Sequence, residues 1–290
     1  MKHGVFVVLI PIFLLIMIFP SACSTKPKTP PGDVYDMRKR AETQLQLGNK
    51  QADRGGLNEA LLFLDEAFRL AIVTDDPSLR VRAGLSRSNV FFLLDRRDEA
   101  ADGWNIALAE AQRMGNAELA AVCRVHLSRG KLLSQGKTAA QSVKDEVNRE
   151  LNQIKSDNLY IAFACTVLGM AEKELGRYAD AEAAIRRALD IHEKEHNLEL
   201  AAYDWFLIAS FRSLSGDYAG ARQAMESAIA FDRRVENSWG LANDWRALGE
   251  VYTKAKDPEA ARAAYIRSAG IYRALGNDEI AEEILARIGG

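Results

Sequence analysis

The most chemically suggestive string in the chain is His192-Glu193-Lys194-Glu195-His196. On a helix the two imidazoles stand one turn apart, where both can ligate zinc, and the glutamate between them can activate a bound water for hydrolysis. The same residues also fit a plainer role. His192 continues the apolar stripe of Ile185, Ala188 and Leu189, and His196 directly precedes Asn197, a residue type that opens helices. Lys194 and Glu195 are charged, and the sequence marks no third ligand, Glu199 being only a guess. A zinc-dependent hydrolase built on His192, Glu193 and His196 therefore stands as an alternative, and the leading expectation is a chain with no metal, no cofactor and no catalysis.

Cys23 is the second reactive candidate. Lys2 and His3 give a short basic start, Val5 to Ala22 run without a charge, and Ser21-Ala22-Cys23 closes the run with small residues, the pattern of an export signal. A spanning helix needs about 20 apolar residues. This run reaches the low end of that range and contains Pro11 and Pro20, which leaves a retained transmembrane anchor as the alternative. Phe19-Pro20-Ser21-Ala22-Cys23 resembles the lipobox of bacterial lipoproteins, with Pro20 where those families usually carry Leu. The resemblance implies a signal peptide over 1–22, lipidation of Cys23 and anchorage in a bacterial cell envelope. Ser24, in place of Asp, points to the outer membrane, with the protein facing the periplasm. Residues 23–33 are proline-rich and read as a flexible tether. Cys123 and Cys165 lie in apolar helical runs and read as small buried side chains.

Other chemistries find no support. His126 is alone on an apolar-flanked helix, and the chain has neither a Gly-rich phosphate loop nor a serine elbow. Lys plus Arg number 38 against 40 Asp plus Glu, a formal charge of -2, so no positive field is available to hold nucleic acid. With 48% apolar residues the chain is not disordered.

The elements that must carry these residues are set by a repeat. Asp76, Asn116, Asp157, Asn197, Asn237 and Asn277 recur at steps of 40, 41, 40, 40 and 40, each before an apolar-periodic segment that a capping oxygen would start. Asp76-Pro77 and Asp257-Pro258 place proline at a first helical position. These marks predict first helices over 34–48, 78–94, 118–134, 158–175, 198–215 and 238–255. They predict second helices over 57–73, 98–113, 137–154, 178–195, 218–235 and 258–275, then a last helix over 278–288. The Gly-rich segment 48–56 is expected to be a longer loop or hinge.

The later units resemble the tetratricopeptide repeat family. Cys165, Trp205 and Trp245 match its large early position, and Leu168-Gly169, Ile208-Ala209 and Leu248-Gly249 its Leu-Gly pair. Ala181, Ala221 and Ala261 match the small crossing residue; Ile185, Met225 and Tyr265 the large apolar one; Ala188, Ala228 and Ser268 the closing small one. The longer period marks a variant with extended helices. The resemblance implies an all-α, right-handed superhelical solenoid over 34–290, with about six helical hairpins and a C-terminal capping helix. By the same resemblance the concave groove carries Phe163, Thr166, Met170 and Lys173, then Tyr203, Phe206, Ser210 and Ser213, then Asn243, Arg246, Glu250 and Thr253. Such a groove suits an extended peptide or protein partner: rings bury area, Asn pairs backbone amides and Arg takes a carboxylate. Two readings stay open beside it. The aromatics could pack against neighbouring helices or an amino-terminal arm, or the groove, closed by residues 34–56, could carry a small ligand.

Overall fold

The computed structural model describes residues 32–155 and 158–288; Cys23, the segment before it, most of the tether and the expected cap Asp157 lie outside the described residues. Among the described residues every element is helical. Six hairpins form in order: α1 (Gly32–Asp53) with α2 (Leu57–Val73), α3 (Pro77–Leu93) with α4 (Arg97–Arg113), α5 (Ala117–Gln135) with α6 (Lys137–Leu151), α7 (Asn158–Glu174) with α8 (Tyr178–Lys194), α9 (Leu198–Ser215) with α10 (Tyr218–Arg234), and α11 (Ser238–Lys254) with α12 (Pro258–Ala274). The short α13 (Asp278–Ala286) ends the array, burying Ala281 and Ile284 against the last hairpin and turning Glu279, Glu282 and Glu283 to solvent. This is the expected superhelical solenoid of paired helices with a capping helix.

One recurrent turn sets the spacing. Left-handed backbone occurs at Gly55, Asp75, Asp95, Gly115, Gly136, Gly176, His196, Gly216, Glu236, Lys256 and Gly276, so the underlying step is half the forty-residue period. The residue after most of these returns its N–H to the carbonyl five positions back, as Asp76 does to Ala71 (3.0 Å) and Asn197 to His192 (2.8 Å). That bond closes the finished helix. The same residue then opens the next one. Side chains of Asp76, Asn116, Asn197, Asp217, Asn237 and Asp257 each accept the N–H three residues on. Asn277 departs from this: it holds the cap position, but its amide donates to the Leu275 carbonyl instead.

The Gly-rich stretch 48–56 corrects the sequence expectation. α1 continues through Gly48 to Asp53, leaving only a short turn. Gly48 serves close approach, because a Cβ there would stand 2.5 Å from Leu64, and α1 lies against α2 through that gap. The same device recurs at Gly249, where a Cβ would meet the Tyr265 ring at 2.5 Å. The repeat-marking small residues Ala181, Ala188, Ala221, Ala228 and Ser268 are all fully buried at the helix crossings.

Curvature follows from which helices touch. First helices meet across layers (α1 with α3, α3 with α5, α5 with α7, α9 with α11), while among the described residues no pair of second helices approaches as closely. The stack therefore splays on the second-helix side, and first helices line the concave face. The curve is tight enough for the chain to meet itself. The Arg54 guanidinium donates to the Val235 carbonyl at 2.9 Å, Lys50 and Arg54 lie 3.8 and 3.6 Å from Glu199, and Gly55 packs on the Trp239 ring.

Candidate functional site

The histidine string does not form a metal site. α8 ends at Lys194, and His196 sits in the left-handed turn with φ +56°, so the two imidazoles do not share a helical face. His192 is buried, with Nδ1 2.6 Å from Oδ2 of Asp204 on α9. Among the described residues no three His, Cys, Asp or Glu side chains gather at ligating geometry. His192 thus joins two layers through a buried charge-assisted contact. Burial raises the Asp204 pKa, and the hydrogen bond from His192 opposes that rise.

One layer on, the same two positions hold Asp232 and Asp244. Here no cation answers. Oδ2 of Asp244 is buried without a hydrogen-bond partner. Burial, and then the Asp232 charge, push the Asp244 pKa up to about 8. Asp232 is raised to about 6 by burial, against the Asn237 amide that donates to it at 3.0 Å, with Glu199 adding to the rise. Asp53, at the self-contact, is also raised to about 6 by burial and by Glu199, with His192 opposing.

The residues expected in the groove lie on three successive first helices, in two aromatic stacks. Phe163 stacks on His126 of α5 at 4.2 Å, extending a line through Trp104 (6.5 Å from His126) to Phe92 (5.7 Å from Trp104). Tyr203 and Phe206 stack on each other at 6.2 Å and nearly parallel, and Tyr203 remains 45% exposed. Thr166 returns its hydroxyl to the Ala162 carbonyl; Met170 and Ser210 are half-buried; Lys173 holds Glu174 at 2.7 Å; Ser213 is buried and accepts from Lys254. On α11 the polar groups are bonded within the chain. Asn243 donates to the Trp239 carbonyl and accepts from the Tyr272 hydroxyl and from Arg246, Glu250 takes Arg287 from beyond α13, and Thr253 bonds to the Gly249 carbonyl.

Two features of this face escape the sequence reading. His126 is more than a solitary core residue: Asn89 accepts from it at 3.0 Å and also from Trp104 at 3.3 Å, and burial, with Arg129 nearby, drives the His126 pKa down to about 3. It is neutral at any ordinary pH. Arg129 itself lies on the concave row, in the register of Met170, Ser210 and Glu250 at steps of 41, 40 and 40. Extending that series back by one layer finds it. Away from the concave face, a pocket of about 550 Å³ opens beside Trp245, whose ring lies 4.5 Å from the Arg267 guanidinium and 5.8 Å from that of Arg233.

A family model for the tetratricopeptide repeat matches residues 164–199, the α7–α8 hairpin with the turn that follows. Solved structures share the architecture along most of the chain. The Rap protein complexed with Competence and Sporulation Factor superposes with a TM-score of 0.59 at 16% identity, covering 86% of this chain and 75% of that one. PilW, described as a widely conserved type IV pilus biogenesis factor, gives 0.51 at 15% identity, covering 84% and 98%. The Cut9-Hcn1 structure gives 0.59 at 17% identity over 88% of this chain, which spans only 46% of that one. A search of curated proteins finds no match. The chain is a TPR-like helical-repeat solenoid.

Proposed function

We propose that the chain is a lipid-anchored adaptor of a bacterial envelope that holds an extended segment of a partner protein on its concave face. The observation that carries this reading is the Tyr203–Phe206 stack, a pair of large rings left partly open to solvent on the inner row of a solenoid. Rings in such a position offer apolar area with little rotamer entropy to lose, the property that makes aromatics dominate interfaces. The Rap structure, solved with Competence and Sporulation Factor bound, supports a binding role for this architecture. PilW, a pilus biogenesis factor of nearly matching extent, supports an envelope setting. Anchorage rests on the lipobox-like segment ending at Cys23. Several acyl chains on that cysteine, each buried methylene worth roughly 0.8 kcal/mol, would hold a slightly acidic domain at a bilayer without a basic patch.

Two measurements test the reading. Crosslinking and mass spectrometry in native envelopes should give a defined set of partners that is lost from a Phe163, Tyr203 and Phe206 triple-alanine variant with an unchanged helical melt; an unchanged set of partners refutes the groove. Cys23→Ser should move the protein from the membrane fraction to the soluble one, and continued tight attachment would point to a retained helix.

A further inference from the structure

Arg129 sits on the inner row of first helices, half-buried, and no carboxylate lies within 4.0 Å of it among the described residues. Three other half-buried arginines of the first helices are held by a carboxylate, Arg80 by Glu110, Arg124 by Glu150 and Arg212 by Glu182, while Arg246 donates to the Asn243 amide oxygen. A guanidinium taken partly out of water without a counter-charge is costly, and folding alone does not repay that cost. Burial accordingly lowers the Arg129 pKa from its usual value, with Tyr203 pulling the other way.

What surrounds Arg129 comes from three helices. One turn earlier on α5 stands neutral His126, covered by the Phe163 ring from α7. From α9 comes Tyr203, whose hydroxyl feels both the Arg129 and Lys173 charges, and beside it the Phe206 ring. Lys173 is already held by Glu174, so Arg129 is the cation of this group with its charge unanswered. An anion placed here would meet a fork of donors next to apolar rings that thin the water around the contact.

We propose that Arg129 anchors an acidic side chain, Asp or Glu, within an extended peptide on the concave face. This deepens the adaptor reading and rests on it. α5 is the third of six first helices, so a segment crossing the row meets Arg129 in mid-course and presents a side chain there instead of its end. Residues on one side of the acidic one would then reach the Tyr203–Phe206 stack.

The test uses the full-length chain in detergent micelles, immobilised and exposed at low salt to a pool of random twelve-residue peptides blocked at both ends. Retained peptides are sequenced by mass spectrometry. The wild type should enrich peptides with an internal Asp or Glu by about tenfold, the order expected of one charge-assisted hydrogen bond. Arg129→Met should retain peptides with that preference gone, and Arg129→Lys should recover part of it. Retention without acidic preference, or a preference that survives Arg129→Met, overturns the anchor while leaving the groove intact. Retention that is absent, or equal in the triple-alanine variant, overturns the groove and the anchor with it. A second pool, free of Asp and Glu but with open carboxyl termini, should show no comparable enrichment; finding it there would place the contact at chain ends and refute the side-chain assignment. Folding is followed by thermal melting. Arg129→Met should melt at or above the wild-type temperature, since an unpaired charge is removed; a clear fall would mean that Arg129 is satisfied within the chain, against the proposal.

Discussion

Trp104→Ala is expected to remove about 3–5 kcal/mol of stability and to uncouple the first two hairpins from the rest. The ring is buried on α4 between Phe92 of α3 and His126 of α5, and its Nε1 donates to Asn89. It also lies directly on the α5 backbone, since a Cβ at Gly130 would stand 2.5 Å from it. Alanine would leave a void that the helices cannot close without losing the contact at Gly130. In a solenoid each layer is held mainly by its neighbours, so damage at one interface stays local. The self-contact between the α1–α2 turn and Glu199, Val235 and Trp239 is too small and too polar to replace the lost packing, its ion pairs being long and partly exposed. Amide hydrogen exchange should show α1 to α4 losing protection while α7 to α12 keep theirs. Uniform loss along the chain would show that the array folds as one cooperative block, contrary to this account.

The layered architecture was legible because its punctuation is chemical. A helix end in the left-handed region favours Gly or Asn, and a helix start favours Asp or Asn, so the forty-residue series from Asp76 to Asn277 exposed the hairpins without any contact being known. The finer step of one turn per helix was hidden because Asp75, Asp95, His196, Glu236 and Lys256 adopt positive φ without being glycine, at about 1–2 kcal/mol each that the surrounding packing must absorb. Gly48 misled for the opposite reason. Composition does not separate a glycine that bends from one that admits a neighbouring Leu64.

The candidate site was legible only in part. Register put Phe163, Thr166, Met170, Tyr203 and Phe206 on first helices, but which ring stacks on which depends on offsets between layers that no single helix contains. Phe163 meets His126, thirty-seven residues away on α5. Arg129 was missed there too, because Val122 and Val125, in the register of Phe163 and Thr166, are core residues that disguise the row. The contact of Arg54 with Val235, 181 residues apart, arises from small rotations summed over four layers, and no local pattern records such a sum.

Stability is expected to fall as pH rises from 6.5 to 8, and Asp244 is the principal cause. Its folded pKa is about 8, well above the 3.8 of an ordinary Asp. Between those two values the folded chain keeps a proton that the unfolded chain releases, so each pH unit costs about 1.4 kcal/mol until the folded group itself ionises. The penalty is absent below pH 4, grows through the neutral range and levels off above 8. From pH 5 to 8 it reaches at most about 4 kcal/mol from this residue. Asp232, raised to about 6, adds to the acidic half of the same window. Two groups oppose this trend. His126, neutral in the fold with a pKa of about 3, would be protonated in the unfolded chain below about 6.5, so its term raises stability from pH 5 to 6.5 and offsets Asp244 there. Glu182 is lowered by Arg212, and the stability it contributes disappears only as pH drops below 4.5. Urea unfolding of the wild type should change little between pH 5 and 6.5 and then show the fall between pH 6.5 and 8. Asp244→Asn, isosteric and without charge, should flatten most of the slope and unfold at higher urea than the wild type at pH 8. Asp204→Asn provides the contrast. It removes the carboxylate that His192 pairs with at 2.6 Å, and so should destabilise the chain throughout the range. If wild-type stability is level or rises between pH 6.5 and 8, or if Asp244→Asn keeps the wild-type slope there, then the facing carboxyls of this layer are not protonated in the way their burial demands. The contrast between a His–Asp layer and an Asp–Asp layer at the same two positions would then need a different physical origin.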